Sequence, residues 1–283
     1  VFDAVAEGTA ELYHAVPSYW GSKSKGILLF GAQPLGLGPI EQHGWLLHGG
    51  GQALYDEMYG RFGLKPFLCG NSGPQAAGWF RNEIGGLADI NGLRFRTPGL
   101  GGQVWAKLGA AVTNLAAGDI FAALQSGTLD AAEFVGPYND LALGFHQVCK
   151  NYYFPSFVEP GLATELVVNK AKYQALPEDL QAIVRDCSQA EYDQVASDMY
   201  ANDPRALATL VNEHEVQIRQ FPEEILEAGA TAAHDLLTEL RDSGDPLTKK
   251  VAESFVEALN ILRTRTEGTD MPFLVAREKY FTI

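Results

Sequence analysis

The sequence has few cysteines and no long apolar run. Its 283 residues include only Cys69, Cys149 and Cys187, which are far apart and form no CxxC pair. This spacing excludes a zinc knuckle and a disulfide framework, so we expect three small buried side chains. No stretch approaches the roughly 20 uninterrupted apolar residues that a membrane-spanning helix requires.

Basic residues are also scarce. Lys and Arg number 21 against 35 Asp and Glu, which gives a formal net charge of −14. Binding to phosphates requires clustered cations that displace counterions, and no dense Lys/Arg run occurs. The charge balance therefore disfavours a nucleic acid or an anionic membrane surface as partner.

Common catalytic motifs are missing as well. The sequence contains no GxSxG, no HExxH, no Walker loop and no GxGxxG. Of six histidines only His43 and His48 are close in sequence, and five residues do not place them on one helical face, so they are poor metal ligands. Gly49 to Gly51 lack the Lys-Ser/Thr that follows a phosphate loop.

Helical and strand-like segments alternate along the chain. The apolar runs at 26–30 and 163–169 predict buried strands, and the repeated alternation predicts an α/β fold with parallel sheets. Asn202-Asp203-Pro204 predicts a break between two helices, because proline lacks the backbone N–H that donates a hydrogen bond inside a helix. A long last helix is predicted near 247–265 from its apolar stripe.

Polar residues embedded in strand ends and glycine-rich loops are the candidate binding residues. They are Gln75, Arg96, Glu133, Asn139 and Glu159. Arg96 ends a strand before Pro-Gly, where a guanidinium can hold a planar carboxylate with two hydrogen bonds; a structural salt bridge is the alternative. Glu133 and Glu159 are flanked by apolar residues, which predicts restricted solvent access, although simple solvation remains open.

Three separated segments resemble the solute-binding proteins of tripartite ATP-independent periplasmic (TRAP) transporters. They are NSGPQAAGWFRNEIGGLADINGLRFRTPG, GDIFAALQSGTLDAAEFVGPYND and YYFPSFVEPGLATELVVNKAKYQALPEDLQ. The chain is most similar to the branch that binds 2-oxo acids or lactate with a metal ion. The resemblance implies a periplasmic binding protein, not an enzyme, that delivers a small organic acid to TRAP membrane subunits. It also implies a two-lobed α/β fold with a hinge and a long C-terminal helix.

The same resemblance assigns roles to individual residues. Arg96 corresponds to the arginine that grips the ligand carboxylate, and Tyr19 to an aromatic residue that contacts the ligand. Asn139 and Phe134 are also expected at the ligand. The implied metal ligands are Gln75, Glu133, the backbone carbonyl of Phe134, and Glu159. Phe134 and Phe157 stand where the family has tryptophan, which predicts a wider pocket.

An all-oxygen ligand set favours Ca²⁺ or Na⁺ and is wrong for zinc. With Ca²⁺ the formal charges of the cation, Arg96, the two glutamates and a monoanionic ligand cancel, whereas Na⁺ leaves one negative charge. Charge balance therefore modestly favours Ca²⁺. The rival hypothesis is a glycoside hydrolase or lyase that uses Glu133 and Glu159 as an acid/base pair.

The expected lobe I comprises residues 1–72 and 163–203, and lobe II comprises residues 73–162 and 204–243. Residues 244–283 are expected to form a C-terminal helical tail, which the family resemblance makes a possible exchange helix of a homodimer. The resemblance also implies that a strand, a helix and a second strand of the family pattern are missing before Val1.

Overall fold

Two β-sheets with separate cores organise the chain. The computed structural model describes residues 1–281, and the last two positions of the expected tail, 282 and 283, lie outside the described residues. The strands are Leu12–Ala15 (β1), Leu64–Asn71 (β2), Gly78–Phe80 (β3), Arg94–Arg96 (β4), Ala111–Thr113 (β5), Ala131–Ala132 (β6), Asn151–Tyr153 (β7), Ala163–Asn169 (β8) and Gln217–Arg219 (β9).

Helices cover both sheets. They are Phe2–Ala6 (α1), Pro39–His48 (α2), Gly51–Gly60 (α3), Gly99–Lys107 (α4), Ala117–Gln125 (α5), Pro137–Leu143 (α6), Lys170–Gln174 (α7), Glu178–Asn212 (α8), Glu223–Arg241 (α9), Pro246–Arg265 (α10) and Met271–Tyr280 (α11). Short 3₁₀ segments lie at Pro17–Trp20, Lys25–Phe30, Leu87–Asp89 and Phe145–Gln147, and a π-helical turn at Thr266–Asp270 joins α10 to α11.

The first sheet has the order β1-β8-β2 and is antiparallel throughout. Strand β8 matches the predicted 163–169 strand, and its alternate residues Ala163, Glu165 and Val167 are buried as the period of two requires. The core of this sheet also takes side chains from α3 and α10, including Tyr55 and Phe255.

The second sheet has the order β5-β4-β6-β3-β7-β9 and is mixed. Strands β5, β4 and β6 are parallel, as are β7 and β9, whereas β3 runs antiparallel to both β6 and β7. The expectation of parallel sheets is therefore wrong for the first sheet and for β3. Only strands joined by a crossover connection become parallel neighbours, and β8 enters between β1 and β2 on the chain's return from the second sheet.

The segment 26–30 is not the strand that its apolar run predicts. It lies in the 3₁₀ helix Lys25–Phe30, and its side chains are buried on all sides. A Cβ at Gly26 would lie 2.4 Å from Met58 Cε, so neighbouring helices enclose the segment closely. A short run buried on every side has no period that separates helix from strand, which explains the wrong prediction.

Helix α8 is continuous from Glu178 to Asn212, so the predicted break at 202–204 is wrong. Pro204 lies inside the helix, and Asp203 accepts a hydrogen bond from the backbone N–H of Tyr138 at 3.0 Å. The helix packs against β2 of the first sheet and α6 beside the second. These contacts hold one helix across both halves of the molecule and so offset the lost backbone bond.

Two of the three cysteines are buried as expected, and one is not. Cys69 and Cys149 are buried, whereas Cys187 is exposed on α8. Its neighbours on the same apolar stripe, Leu180 and Ile183, are 42% and 54% exposed. The stripe on α8 therefore faces outward, and the expectation for Cys187 is wrong because helical spacing alone does not say which face a helix buries.

The C-terminal segment begins inside the molecule and ends outside it. Val251 and Phe255 of α10 are buried in the first core, whereas Met271, Phe273 and Val275 of α11 are more than half exposed. Among residues 1–281, none of the helices is both long enough and apolar enough to cross a bilayer.

Candidate functional site

A cavity of about 200 Å³ lies between the two sheets. Its lining comes from the 17–20 turn and β8 on one side, from the ends of β4 and β6 on the other, and from α8. All seven candidate residues from the sequence line it: Tyr19, Gln75, Arg96, Glu133, Phe134, Asn139 and Glu159. Residues from distant parts of the sequence thus converge on one enclosed space.

Arg96 is held rigidly at the end of β4. The residue is 1% exposed. Its Nε donates to the Leu115 carbonyl at 3.0 Å, and its Nη1 donates to the Glu133 carbonyl at 2.6 Å. Nη1 also lies 3.7 Å from Glu133 Oε2. Two backbone bonds and a nearby carboxylate orient the guanidinium, as recognition of a planar carboxylate requires.

Gln75 and Glu159 are joined through their backbones. The Gln75 N–H donates to the Glu159 carbonyl at 3.1 Å, and the Glu159 N–H donates to Ser156 Oγ at 3.1 Å. Gln75 Nε2 donates to Ser72 Oγ at 2.8 Å, which leaves the amide oxygen to face elsewhere. The backbones of the two residues are therefore fixed next to each other at the cavity.

The decisive feature of the cavity is its unsatisfied oxygens. Gln75 Oε1, Glu133 Oε2 and Glu159 Oε2 are buried and have no hydrogen-bond partner, and so is Asn139 Oδ1. Buried polar atoms are nearly always paired, and an orphan costs about 1–3 kcal/mol. A hard cation that prefers oxygen ligands would satisfy the first three at once, so the residues present fit Ca²⁺ or Na⁺.

Burial disfavours the charged form of both glutamates. Burial raises the pKa of Glu133 to about 8, with Arg96 opposing the shift and Asp140 adding to it. Burial and the neighbouring Glu133 raise the pKa of Glu159 well above its ordinary value. Each carboxylate is thus stabilised in its charged form by added positive charge, which is what a bound cation supplies.

No cluster of three or more His, Cys, Asp or Glu side chains within residues 1–281 is placed to hold a metal. A cation in this cavity therefore needs the neutral oxygens as well: the amide of Gln75 and the backbone carbonyl of Phe134. Alkali and alkaline-earth cations accept such mixed sets, whereas zinc prefers nitrogen and sulfur.

Asp140 was not predicted from the sequence, and it supports the Phe134–Val135 segment from behind. It is buried, and its Oδ2 accepts from Trp79 Nε1 at 2.9 Å and from the Tyr152 hydroxyl at 2.7 Å. Its Oδ1 accepts from the Val135 N–H at 3.3 Å. Burial raises the pKa of Asp140 to about 7. The carboxyl group anchors the backbone that carries the proposed carbonyl ligand.

An apolar wall of the cavity was also missed. Leu162 and, from α8, Val195 and Met199 line it together with the half-buried Phe134 ring, whose centroid lies 5.8 Å from the Arg96 guanidinium carbon. The i,i+4 spacing of Val195 and Met199 places both on one helical face. Their apolar types resemble ordinary core positions, so the sequence carried no signal for this role.

The two-sheet fold around an anion-sized cavity defines a solute-binding protein of the periplasmic binding type. Residues 1–242 match DctP, the bacterial extracellular solute-binding protein family 7. The chain belongs to this family, and the resemblance to TRAP solute-binding proteins seen in the sequence is confirmed. The two-lobed α/β fold with its long C-terminal helix is confirmed as well.

Two solved structures are especially similar. A TRAP periplasmic solute-binding protein from Pseudoalteromonas atlantica T6c with bound sodium and pyruvate is 34% identical and has a TM-score of 0.94, with 98% of this chain and 84% of that chain covered. One from Colwellia psychrerythraea with bound calcium and pyruvate is 36% identical and has a TM-score of 0.93, with coverages of 97% and 83%.

A curated relative is also similar to this chain. The monocarboxylate 2-oxoacid-binding periplasmic protein of Nostoc sp. strain PCC 7120 is 35% identical over 255 residues, which cover 90% of this chain and 70% of that protein. Sodium and calcium, the two cations expected from the oxygen set, thus both occur with pyruvate in similar structures.

Proposed function

We propose that this chain captures a small monocarboxylate, a 2-oxo acid such as pyruvate or the related lactate, in the periplasm and delivers it to TRAP membrane subunits. Gln75, Glu133, Glu159 and the Phe134 carbonyl hold Ca²⁺ or Na⁺, and Arg96 binds the ligand carboxylate. The observation that carries the proposal is that Gln75, Glu133 and Glu159 each bring an orphaned, buried side-chain oxygen to one cavity.

Two positive charges bind the ligand, that of the cation and that of the Arg96 guanidinium. A cation held by these residues would supply positive charge for the acid, and the remaining N–H groups of Arg96 would donate hydrogen bonds to its carboxylate. Tyr19 and Asn139 border the same space and orient the acid. Leu162, Val195 and Met199 exclude water from its carbon chain, which is the expected division between polar and apolar walls in a ligand site.

Substitution of Arg96 by alanine tests the proposal. We expect pyruvate affinity to fall at least about 100-fold in the presence of Ca²⁺, because a desolvated charge partner of the ligand is lost. Arg94→Ala is the matched control: Arg94 lies two residues earlier in β4, is exposed and pairs with Asp130. Calorimetric titration that gives equal pyruvate affinity for the two variants would contradict the assigned role of Arg96.

The family consists of solute-binding proteins, so we do not propose the carboxylate-pair enzyme. The orphaned oxygens of Glu133 and Glu159 are better explained as cation ligands. Neither oxygen accepts a hydrogen bond that would orient the carboxyl group for general acid/base catalysis.

We further propose that the chain forms a homodimer through its C-terminal tail. The apolar side chains of α11, which include Met271, Phe273 and Val275, project into solvent within a single chain. Exposed apolar side chains on both sides of a helix favour packing against a second copy, and exchange of the tail would bury them in both.

A further inference from the structure

Glu165 is a buried carboxylate outside the cation site. It lies on β8 with no measurable exposure and is surrounded by the first core. Its Oε1 accepts from Trp20 Nε1 at 2.8 Å and from the Tyr13 hydroxyl at 3.1 Å. Its Oε2 accepts from the Tyr59 hydroxyl at 2.6 Å and from the Tyr55 hydroxyl.

These four donors make Glu165 a structural junction. Burial raises its pKa, and the four hydrogen bonds act in the opposite direction by favouring the charged form. Tyr13 comes from β1, Trp20 from the 17–20 turn, and the other two tyrosines from α3. One side chain thus fixes three separate elements to the central strand of the first sheet.

The 17–20 turn is the element among these that reaches the ligand cavity. Tyr19 lines the cavity, and its ring packs edge-on against the Trp20 ring with 6.2 Å between centroids. The position of the Tyr19 ring therefore depends on how Trp20 is held. Thr164, the residue before Glu165 in β8, lines the same cavity, so the junction lies directly behind the site.

We propose that Glu165 is a positioning residue for ligand binding: through Trp20 Nε1 it fixes the 17–20 turn and thereby sets Tyr19 against the bound acid. The role of Tyr19 at the ligand rests on the proposed function. The role of Glu165 in fixing the 17–20 turn does not rest on it. Removal of Glu165 itself would strand three tyrosine hydroxyls in the core, so the informative changes remove single donors.

Trp20→Phe and Tyr59→Phe form a matched pair. Each removes one donor from the same carboxylate, but Tyr59 lies on α3 and does not line the cavity. We expect Trp20→Phe to weaken pyruvate binding in Ca²⁺ by about fivefold or more and Tyr59→Phe by less than about twofold, because only the first releases the turn. Equal effects of the two variants would overturn the proposal.

A double-mutant cycle separates positioning from general destabilisation. In a Tyr19→Ala background, Trp20→Phe is expected to change pyruvate affinity by less than about twofold, because its effect acts through Tyr19. A loss that is the same with and without Tyr19 would show that Trp20 acts by another route and would overturn the proposal.

A ligand-free measurement keeps this inference separate from the proposed function. The Tyr19 N–H bonds the Val16 carbonyl at 3.2 Å, and the Lys23 N–H bonds the Trp20 carbonyl at 2.8 Å. We expect these two amides to exchange with deuterium about tenfold faster in Trp20→Phe than in Tyr59→Phe. Equal exchange rates would overturn the proposal even if pyruvate binds, whereas faster exchange would support it even if pyruvate is the wrong ligand.

Discussion

Four buried carboxylates in the described part of this chain differ in whether all their oxygens have hydrogen-bond partners. Asp140 and Glu165 each accept several hydrogen bonds from Trp and Tyr donors. Glu133 and Glu159 each keep a buried oxygen without a partner, and both face the same cavity. The first pair has its hydrogen-bond partners within the fold, whereas one oxygen of each residue in the second pair has none.

Glu133→Gln tests the metal role of this residue. The substitution keeps the size and one oxygen but removes the negative charge, so we expect Ca²⁺ affinity to fall by about tenfold or more. Calorimetric titration of Ca²⁺ into the variant measures the loss. Glu239→Gln is the control, because Glu239 is exposed, pairs with Lys107 at 2.8 Å and does not line the cavity. Unchanged Ca²⁺ affinity in Glu133→Gln would contradict the assignment.

The pH dependence of stability gives a second test at the residue scale. Burial raises the pKa of Glu133 from 4.5 to about 8 in the cation-free fold. Between these values the folded chain holds a proton that the unfolded chain has released, so the free energy of unfolding must fall as pH rises. We expect the Tm of cation-free protein to drop across this interval more steeply than that of Glu133→Gln. Identical slopes of Tm against pH for the two proteins would contradict the raised pKa of Glu133.

The sequence predicted the polar residues of the cavity but not its apolar wall. Arg96, Glu133 and Glu159 stand out because charges are rare between apolar neighbours and demand partners. Val195 and Met199 have the side chains of any core helix, and only the path of α8 brings them to the cavity. Chemistry that depends on residue type is visible in a sequence, while shape that depends on packing is not.

At the scale of secondary structure, a segment with one buried face was predictable from its periodicity, whereas a segment buried on all sides was not. Strand β8 has one buried face, and its predicted bounds agree with the structure. The 26–30 segment is buried on all sides and was wrongly predicted as a strand. Pro204 did not end α8, because contacts with two other elements hold that helix together. Tertiary packing overrides local propensity in both cases.

The packing of α9 allows a direct stability test. A Cβ at Gly229 would lie 2.4 to 3.0 Å from three atoms of the Phe157 ring, so Gly229→Ala is expected to destabilise the protein by about 1–3 kcal/mol. Gly118 in α5 has no neighbouring atom within 4 Å, and Gly118→Ala is expected to stabilise by about 0.5–1 kcal/mol. Chemical denaturation measures both, and the same sign for the two would contradict this packing.

At the scale of the whole molecule, the cavity depends on both sheets at once. The 17–20 turn and β8 border it from one side, and β4 and β6 from the other, with α8 packed against elements of each. We propose that ligand binding closes the two halves by a hinge motion, since neither half carries the full set of ligand contacts.

The proposed dimer is tested by removal of residues 266–283. This segment begins after α10, whose buried residues such as Phe255 belong to the first core and remain in place. We expect the full chain to elute as a dimer and the shortened chain as a monomer in size-exclusion chromatography with light scattering, because the exposed apolar side chains of α11 are lost. A monomeric full chain would contradict the proposal.

The central claim is that a cation and Arg96 bind the same small acid in one cavity. Calorimetric titration of pyruvate into chelator-treated protein, repeated after Ca²⁺ is restored, tests it most directly. The account predicts no measurable binding without the cation and tight binding with it, since Arg96 alone cannot balance the charges of Glu133, Glu159 and the anionic ligand. Equal pyruvate affinity in the two titrations would contradict it.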